Sequence, residues 1–362
     1  MKNTSWTMKA LSRFKSTRGW ACIGRVSAKL GTGCLALVLA VAAGCSRPEL
    51  QRRDYRGQAL GTTYAITVFG ADRKDLGPQI DSVFTVLNQS MSTYLPGSDI
   101  SRINEGDTTV VVDEMFREVL AASREIHRAT GGRFDPTVGI LVDAWGFGPG
   151  AALEMDSTTV DSLRQYVGLD KITRTPDNRI RKETTGIRLD FNAIAKGYAI
   201  DRLALLLEQA GSEHFLVEVG GEVRTRGRQP EKDQPWRVGI DDPQATGARQ
   251  IKQVVELEDA SMASSGNYRK FREDPQTGRR YVHTIDPLTG FTRDSNILAV
   301  SVIAPTCMVA DGYATAFMAM DLEASRELLD NSGDLEAYII YLDAEGNTRE
   351  FVTEGFRSRI AR

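Results

Sequence analysis

Histidine and cysteine are scarce in this chain, with three of the first and four of the second among 362 residues. Cys22, Cys34 and Cys45 precede the body of the protein, which keeps only Cys307, so an internal disulfide and a cysteine-rich metal centre are excluded. A serine hydrolase is poorly supported: Ser261, Ser264 and Ser265 of "SMASSGNY" have no G-x-S-x-G elbow, and His283 is the sole plausible base. Neither G-x-G-x-x-G nor G-x-x-x-x-G-K-[ST] occurs, since "VEVGGEVRTRG" has the wrong spacing for both. One sign of charge does not dominate either. Lys and Arg total 45 against 48 Asp and Glu, a formal net charge of -3. The cationic surplus of a general nucleic-acid binder is missing, and no nucleic-acid partner is expected.

The N-terminus has its own composition. Seven Lys and Arg from Lys2 to Lys29, with no acid among them, precede the apolar run "CLALVLAVAAGC". That is the layout of an export signal. The run falls short of the ~20 residues of a membrane span and ends in small residues directly before Cys45. It resembles a bacterial lipoprotein signal, with Ala42 where leucine is usual. The resemblance implies a lipidated Cys45 as mature N-terminus; an uncleaved membrane anchor is the alternative, and Met8 is an alternative start. The expected organisation is a signal over residues 1–45, a polar tether over 46–54 and one domain over 55–362, undivided by any Pro/Ser-rich linker. With either anchor the body is expected outside the cytoplasm, on the periplasmic face of the inner or outer membrane.

Periodicity fills in the body. "GTTYAITVFG" alternates and is β-branched, as a strand is. "DLGPQIDSVFTVLNQSMSTY", "DEMFREVLAASREIHRATGG" and "DSTTVDSLRQYVG" have apolar residues at helical spacing. In the second half, strands are expected at "RIRKETTGIRLDF", "HFLVEVGGEVRTRG", "WRVGIDD", "RQIKQVVELE", "YVHTIDP", "ILAVSVIAP" and "EAYIIYLDAEG". Two helices interrupt them, "AKGYAIDRLALLLEQAG" and "DGYATAFMAMDLEASRELLDNSG". Strands at hairpin spacing predict an α+β fold: a single compact domain with a mixed, largely antiparallel sheet and flanking helices.

"KGYAID" and "DGYATA" both place Gly-Tyr-Ala where a helix is expected to begin. Two such helix ends, with free N–H donors, suit an anionic ligand. The acid heading the second, Asp311, allows two roles. It can cap its own helix, or it can join Thr315, one turn further along the same face, as an oxygen ligand to a cation.

Further Gly-punctuated segments are "MSTYLPGSDISRIN", "GGRFDPTVGILVDAWGFGP", "LDFNAIAKGYAID", "ASSGNYRKF" and "VHTIDPLTG". Each alone has a plain structural explanation: Asp135-Pro136 as a turn, Gly220-Gly221 as a bulge, Trp145 and Phe147 as core. Together, in order, from about Gly57 to Met320, they resemble the ApbE family of FAD:protein FMN transferases. The resemblance implies an ApbE or T-fold-like architecture, FAD as substrate, and a divalent cation, usually Mg2+, with Ca2+ or Mn2+ as substitutes. It also implies transfer of FMN to a Thr or Ser hydroxyl, with AMP released. The implied acceptors are exported subunits of membrane redox complexes, such as the Na-translocating NADH:quinone reductase or the Rnf type.

By the same resemblance, Leu60 of "LGT", standing where the family has Met, contacts FAD, as do Tyr94, Asp135, Pro136, Thr137, Val138, Asp190, Lys196 and Ile285. The cation is expected on Asp311 and Thr315, with oxygen from Ala193 and Ala314. His283 is the candidate general base, against the alternative that it only shapes the pocket. An exported FAD-binding protein, or a pyrophosphatase that splits FAD to FMN and AMP, would use the same pocket. A lipoprotein that keeps the fold as a scaffold is a third possibility.

Overall fold

Eight strands of the chain form one sheet in which each strand lies beside its neighbour in sequence, and every pairing is antiparallel. In chain order they are β1 (Gln51–Ala59), β2 (Thr62–Gly70), β3 (His214–Val219), β4 (Glu222–Arg226), β5 (Ser261–Gly266), β6 (Ile297–Ala304), β7 (Glu336–Leu342) and β8 (Thr348–Val352). The computed structural model describes residues 50–70, 75–245, 249–267, 271–273, 280–293 and 295–362. Cys45 and the rest of the expected signal lie outside the described residues. Residues 51–54, expected within the tether, belong to β1. Among the described residues no helix is long and apolar enough to cross a membrane.

The helices occupy the gaps in this meander. Between β2 and β3 lie α1 (Gly77–Met91), α2 (Asp99–Asn104), α3 (Glu114–Ala129), α4 (Gly139–Ala144), α5 (Ser157–Arg164) and α6 (Ala195–Gln209). Between β6 and β7 lie α7 (Cys307–Ala319) and α8 (Leu322–Asp330), and α9 (Glu354–Arg357) follows β8. The sequence explains these starts and stops. Asp113 caps α3 by accepting the Phe116 N–H, and Phe116, Val119, Leu120 and Ile126 then bury one stripe of that helix. The single helix expected from Asp311 to Gly333 is two: Met320 is extended, and the chain restarts at Asp321 into α8.

Strand β6 is apolar along its length except at Ser301, which bonds Ser264 of β5, because both its faces are covered. Val300 and Val302 pack with Ala314 and Phe317 of α7, whereas Ala299 and Ile303 pack with Val255, Leu257 and Phe356 on the opposite side. That second layer is a two-stranded ribbon, Trp236–Asp241 with Ile251–Leu257, joined by α9. Helix α6 buries Tyr198, Ile200, Leu203 and Leu207 in one cluster with Ile66 of β2 and Val217 of β3.

Two hairpin turns of two residues close one end of the sheet. Ala59 pairs with Thr62, and Leu60 and Gly61 both take positive φ, 52° and 72°. This is the mirror-type turn that matches strand twist, and Leu60 adopts it without glycine's freedom. Gly220 and Gly221 repeat the device between β3 and β4, with Val219 opposite Glu222. They make a hairpin that divides the one strand expected over "HFLVEVGGEVRTRG", and not a bulge.

Candidate functional site

Because β2 and β3 run antiparallel, both hairpin turns emerge at the same end of the sheet. The Gly220 N–H donates to the Thr63 carbonyl at 3.0 Å, and a Cβ on Gly220 would stand 2.9 Å from Thr62 Cγ2. The next strand opens with Glu222, buried to 4%. Its Oε1 accepts from Lys196 Nζ at 2.7 Å, and the same ammonium lies 3.4 Å from Asp311 Oδ1. Asp311, 2% exposed, holds its other oxygen against the Gly197 N–H at 3.0 Å. The "GGE", "AKG" and "ADG" segments thus meet at one buried cluster, with "LGT" beside "GGE".

The meeting depends on the glycine of "KGYA". A Cβ on Gly197 would collide with the Cys307 carbonyl oxygen, so α6 and α7 bring their first turns together only because that position is bare. Each helix then supplies an acid to the other's start. Asp201 of α6 accepts the Cys307 and Met308 N–H groups of α7 at 2.9 and 2.8 Å. Asp311 of α7 does the same for Gly197 of α6. Asp311 is therefore not the cap of its own helix: Thr306 is, accepting the Val309 N–H, and Asp311 sits in the second turn.

With both acids ionised the cluster carries two negative charges against one ammonium. Burial pushes the Asp311 carboxyl up to about 7, against the pull of Lys196, and Glu222 pushes it the same way as burial. Burial works against a charge on Lys196 as well, but Asp311 and Glu222 outweigh it and raise the lysine above its ordinary value. Glu222 Oε2 is buried with no hydrogen-bond partner among the described residues. Surplus negative charge and an orphaned acidic oxygen are what a cation relieves.

The residues expected at the cation offer hard oxygen donors. Thr315 is half-buried one turn beyond Asp311, Ala314 is buried beside it, and Ala193 is half-buried two residues ahead of α6. Among the described residues no three His, Cys, Asp or Glu side chains gather, so no carboxylate cage is built. One fixed carboxylate with hydroxyl, carbonyl and substrate phosphate oxygens is a pattern suited to Mg2+.

A second group of expected residues lies along the chain leading into α6. Asp135 Oδ1 accepts both the N–H and the hydroxyl of Thr137, at 2.8 and 2.6 Å, and Oδ2 accepts the Leu169 N–H at 3.1 Å. Burial raises the Asp135 carboxyl, and these Thr137 bonds oppose it. Thr137 in turn accepts the Gly168 N–H at 2.7 Å, so this pair holds the loop's shape. The loop runs beside residues 188–190: Val138 bridges Arg188 in parallel, and the Asp190 N–H donates to the Pro136 carbonyl at 2.7 Å. Asp190 is buried, its carboxyl raised by that burial, and its Oδ1 accepts the Asn192 N–H at the turn into α6.

Tyr94 is 60% exposed and donates to the Phe147 carbonyl at 3.4 Å. Partial burial raises its hydroxyl pKa, and the charges of Asp190 and Asp143 add to the effect. Ile285 is buried with Leu141, Trp145 and Val160. Its loop is docked by Trp145 Nε1 donating to the Gly290 carbonyl at 2.9 Å and by Arg133 pairing with the buried Asp286. His283 is half-buried, one residue beyond the strand Arg280–Val282 and two before Ile285.

Glu222 and Asp201 are not marked as site residues by any motif in the sequence. The one available signal for Glu222 was an acid immediately after a Gly pair that opens a strand, and for Asp201 its place at the end of the "KGYAID" echo.

The profile of the ApbE family matches residues 60–339 of the chain. Among curated proteins, the FAD:protein FMN transferase of Haemophilus influenzae is 32% identical over 339 residues, covering 90% of this chain and 96% of that protein. The FAD:protein FMN transferase of Vibrio cholerae is 34% identical, covering 79% and 86%. Among solved structures, the flavin transferase ApbE from Vibrio cholerae superposes with a TM-score of 0.76 at 30% identity, covering 86% of this chain and 99% of that one. The apo flavinyl transferase ApbE of Pseudomonas stutzeri gives 0.75 at 30% identity, covering 86% and 97%.

Proposed function

This chain belongs to the ApbE family, and on that premise we propose that it is an FAD:protein FMN transferase. It moves FMN from FAD to a Thr or Ser hydroxyl of an exported redox subunit, such as one of an Na-translocating NADH:quinone reductase or an Rnf-type complex, and releases AMP. The observation that carries the proposal is the buried cluster of Asp311, Lys196 and Glu222, where the "GGE", "AKG" and "ADG" segments converge.

Asp311 and Thr315, with oxygen from Ala193 and Ala314, would hold Mg2+, or Ca2+ or Mn2+ in its place. Charge growing on phosphoryl oxygens and on departing AMP would be offset by a cation bound there. The other work falls to the chain. The Gly197 N–H keeps the Asp311 carboxylate in one orientation before substrate arrives. Lys196 supplies positive charge toward the dinucleotide from a first helical turn. The Asp135–Thr137 loop, with Asp190, Leu60, Tyr94 and Ile285, lines its path. His283 takes the proton of the attacking hydroxyl, a role that suits the side chain whose ordinary pKa is nearest neutrality. A lipidated Cys45 would keep the enzyme at the periplasmic face of a membrane, beside exported acceptors.

Purified protein incubated with FAD, Mg2+ and an acceptor domain should give a fluorescent band under denaturing conditions. AMP and free FMN without that band would favour the pyrophosphatase, and failure to bind FAD would favour a scaffold. For His283→Ala a loss of about 10²–10⁴ in rate is expected. An unchanged rate from pH 6 to pH 9 would remove His283 as the base.

A further inference from the structure

Lys196 makes two unequal contacts with the acids around it: 2.7 Å to Glu222 Oε1 and 3.4 Å to Asp311 Oδ1. The short one is a full charge-assisted hydrogen bond, and the long one is loose. Asp311 does not need it for orientation, because Oδ2 is already held by the Gly197 N–H at 3.0 Å. Glu222 has capacity to spare, because Oε2 is buried and unpartnered among the described residues. The lysine can therefore give up Asp311 and keep its charge compensated on Glu222 alone.

We propose that Lys196 is a resident ammonium that shares Asp311 with the divalent cation and competes with it, and that Glu222 is the positioning residue that holds the displaced lysine. This rests on the assignment of Asp311 as a cation ligand. Its consequence is a cation site kept weak by the protein itself, where an ammonium stands at the ligand whenever the metal does not. Two buried acids facing one another without that ammonium would bind a divalent cation strongly on their own. The lysine thus trades affinity in the free enzyme for a site that stays charge-compensated when empty.

Removal of the two partners should act in opposite directions, which a merely structural role would not produce. Mn2+ binding to the full chain without FAD, followed by the loss of the free-ion electron paramagnetic resonance signal, provides the readout. Lys196→Met should tighten Mn2+ at least tenfold, since the competitor is gone and both carboxylates remain. Glu222→Gln should weaken it at least threefold, since the lysine then has only Asp311 to pair with. Lys196→Met/Glu222→Gln should bind more tightly than Glu222→Gln alone. A folded Lys196→Met protein with unchanged or weaker Mn2+ binding overturns the proposal. Should that variant not fold, a Glu222→Gln protein that binds as the parent does overturns it instead. Asp311→Asn separates the two levels: if it leaves Mn2+ binding intact, the cation assignment itself fails, whereas if it abolishes binding while Lys196→Met does not tighten it, only the competition fails.

Discussion

The first turns of α6 and α7 are built alike in one respect, each having N–H groups held by an acid from the other helix, yet the two acids are in different states. Asp201 is saturated: two backbone N–H groups of α7 and Arg224 Nη1, at 2.6 Å, occupy its oxygens, and Glu208, the other acid near Arg224, has Arg226 as its closer partner. Asp311 caps with one bond to Gly197 and shares one lysine with Glu222. The same local device is closed at one helix and open at the other. A cap whose bonds are complete can only hold structure, whereas one with an oxygen in hand and uncompensated charge nearby can also bind.

The sharpest way to break this comparison is to neutralise each acid in turn. Asp311→Asn keeps the size of the side chain, and an oxygen that can accept from Gly197, but loses the charge. FMN transfer should fall by at least about a thousandfold, the scale on which removing a charge-stabilising group at a phosphoryl-transfer centre acts. Its melting temperature should hold or rise. Asp201→Asn should do the reverse. It takes from Arg224 its short ion pair, leaving the longer one to Glu208 at 4.0 Å, and weakens two caps, for a loss of about 1–3 kcal/mol seen in denaturant titration, with the rate per folded molecule kept. Equal effects on activity would show that the two acids are not distinguished by their unfilled valence.

A smaller effect tests how tightly the two ends are matched. Gly197 faces the backbone of the other helix at Cys307, while Gly312 of the second echo faces the end of the Ile126 side chain. Backbone cannot move aside without parting the helices, but a terminal methyl can turn. Gly197→Ala should therefore cost about 2–3 kcal/mol, at the upper end of overpacking, and Gly312→Ala about 1 kcal/mol or less. Because parted helices also shift Gly197 from Asp311, activity should fall with the first variant and not with the second. Urea denaturation of both, beside the transfer assay, checks this.

Much of the frame around these helices is visible in the residues themselves. Alternation in "GTTYAITVFG", the Asp113 cap and the apolar run of β6 all state local preferences that tertiary packing then honours. The start of α7 is harder to read because "CMVA" carries no polar punctuation, so Asp311 looks like the first signal when Thr306 is the cap. Glu222 is harder still. Its partners Lys196 and Asp311 lie on two helices far from it in sequence, and only the hairpin at Gly220–Gly221 and the bare Gly197 bring the three together. Spacing along a chain reports neighbours on one element, and the cluster is made between elements.

The last difference between the two acids is one of pH. Burial raises both carboxyls, but at Asp201 the Met308 and Cys307 N–H groups and Arg224 all act against it, whereas Asp311 is pushed up to about 7. A carboxyl higher in the folded than in the unfolded protein means that the folded state binds the extra proton between the two values. Its stabilising contribution is full below the ordinary value of 3.8 and is lost as pH rises through about 7. The melting temperature of the protein without added cation should therefore decline between pH 5 and pH 8. Mg2+ should recover part of that decline, since a bound cation replaces the proton as the balancing charge. Asp311→Asn, with no proton to lose at this position, should show a flatter profile, while Asp201→Asn, whose raised carboxyl is opposed by two N–H groups and Arg224, should flatten it less. If the two variants flatten the profile equally, Asp311 is as closed a cap as Asp201, and the contrast between the two helix starts disappears.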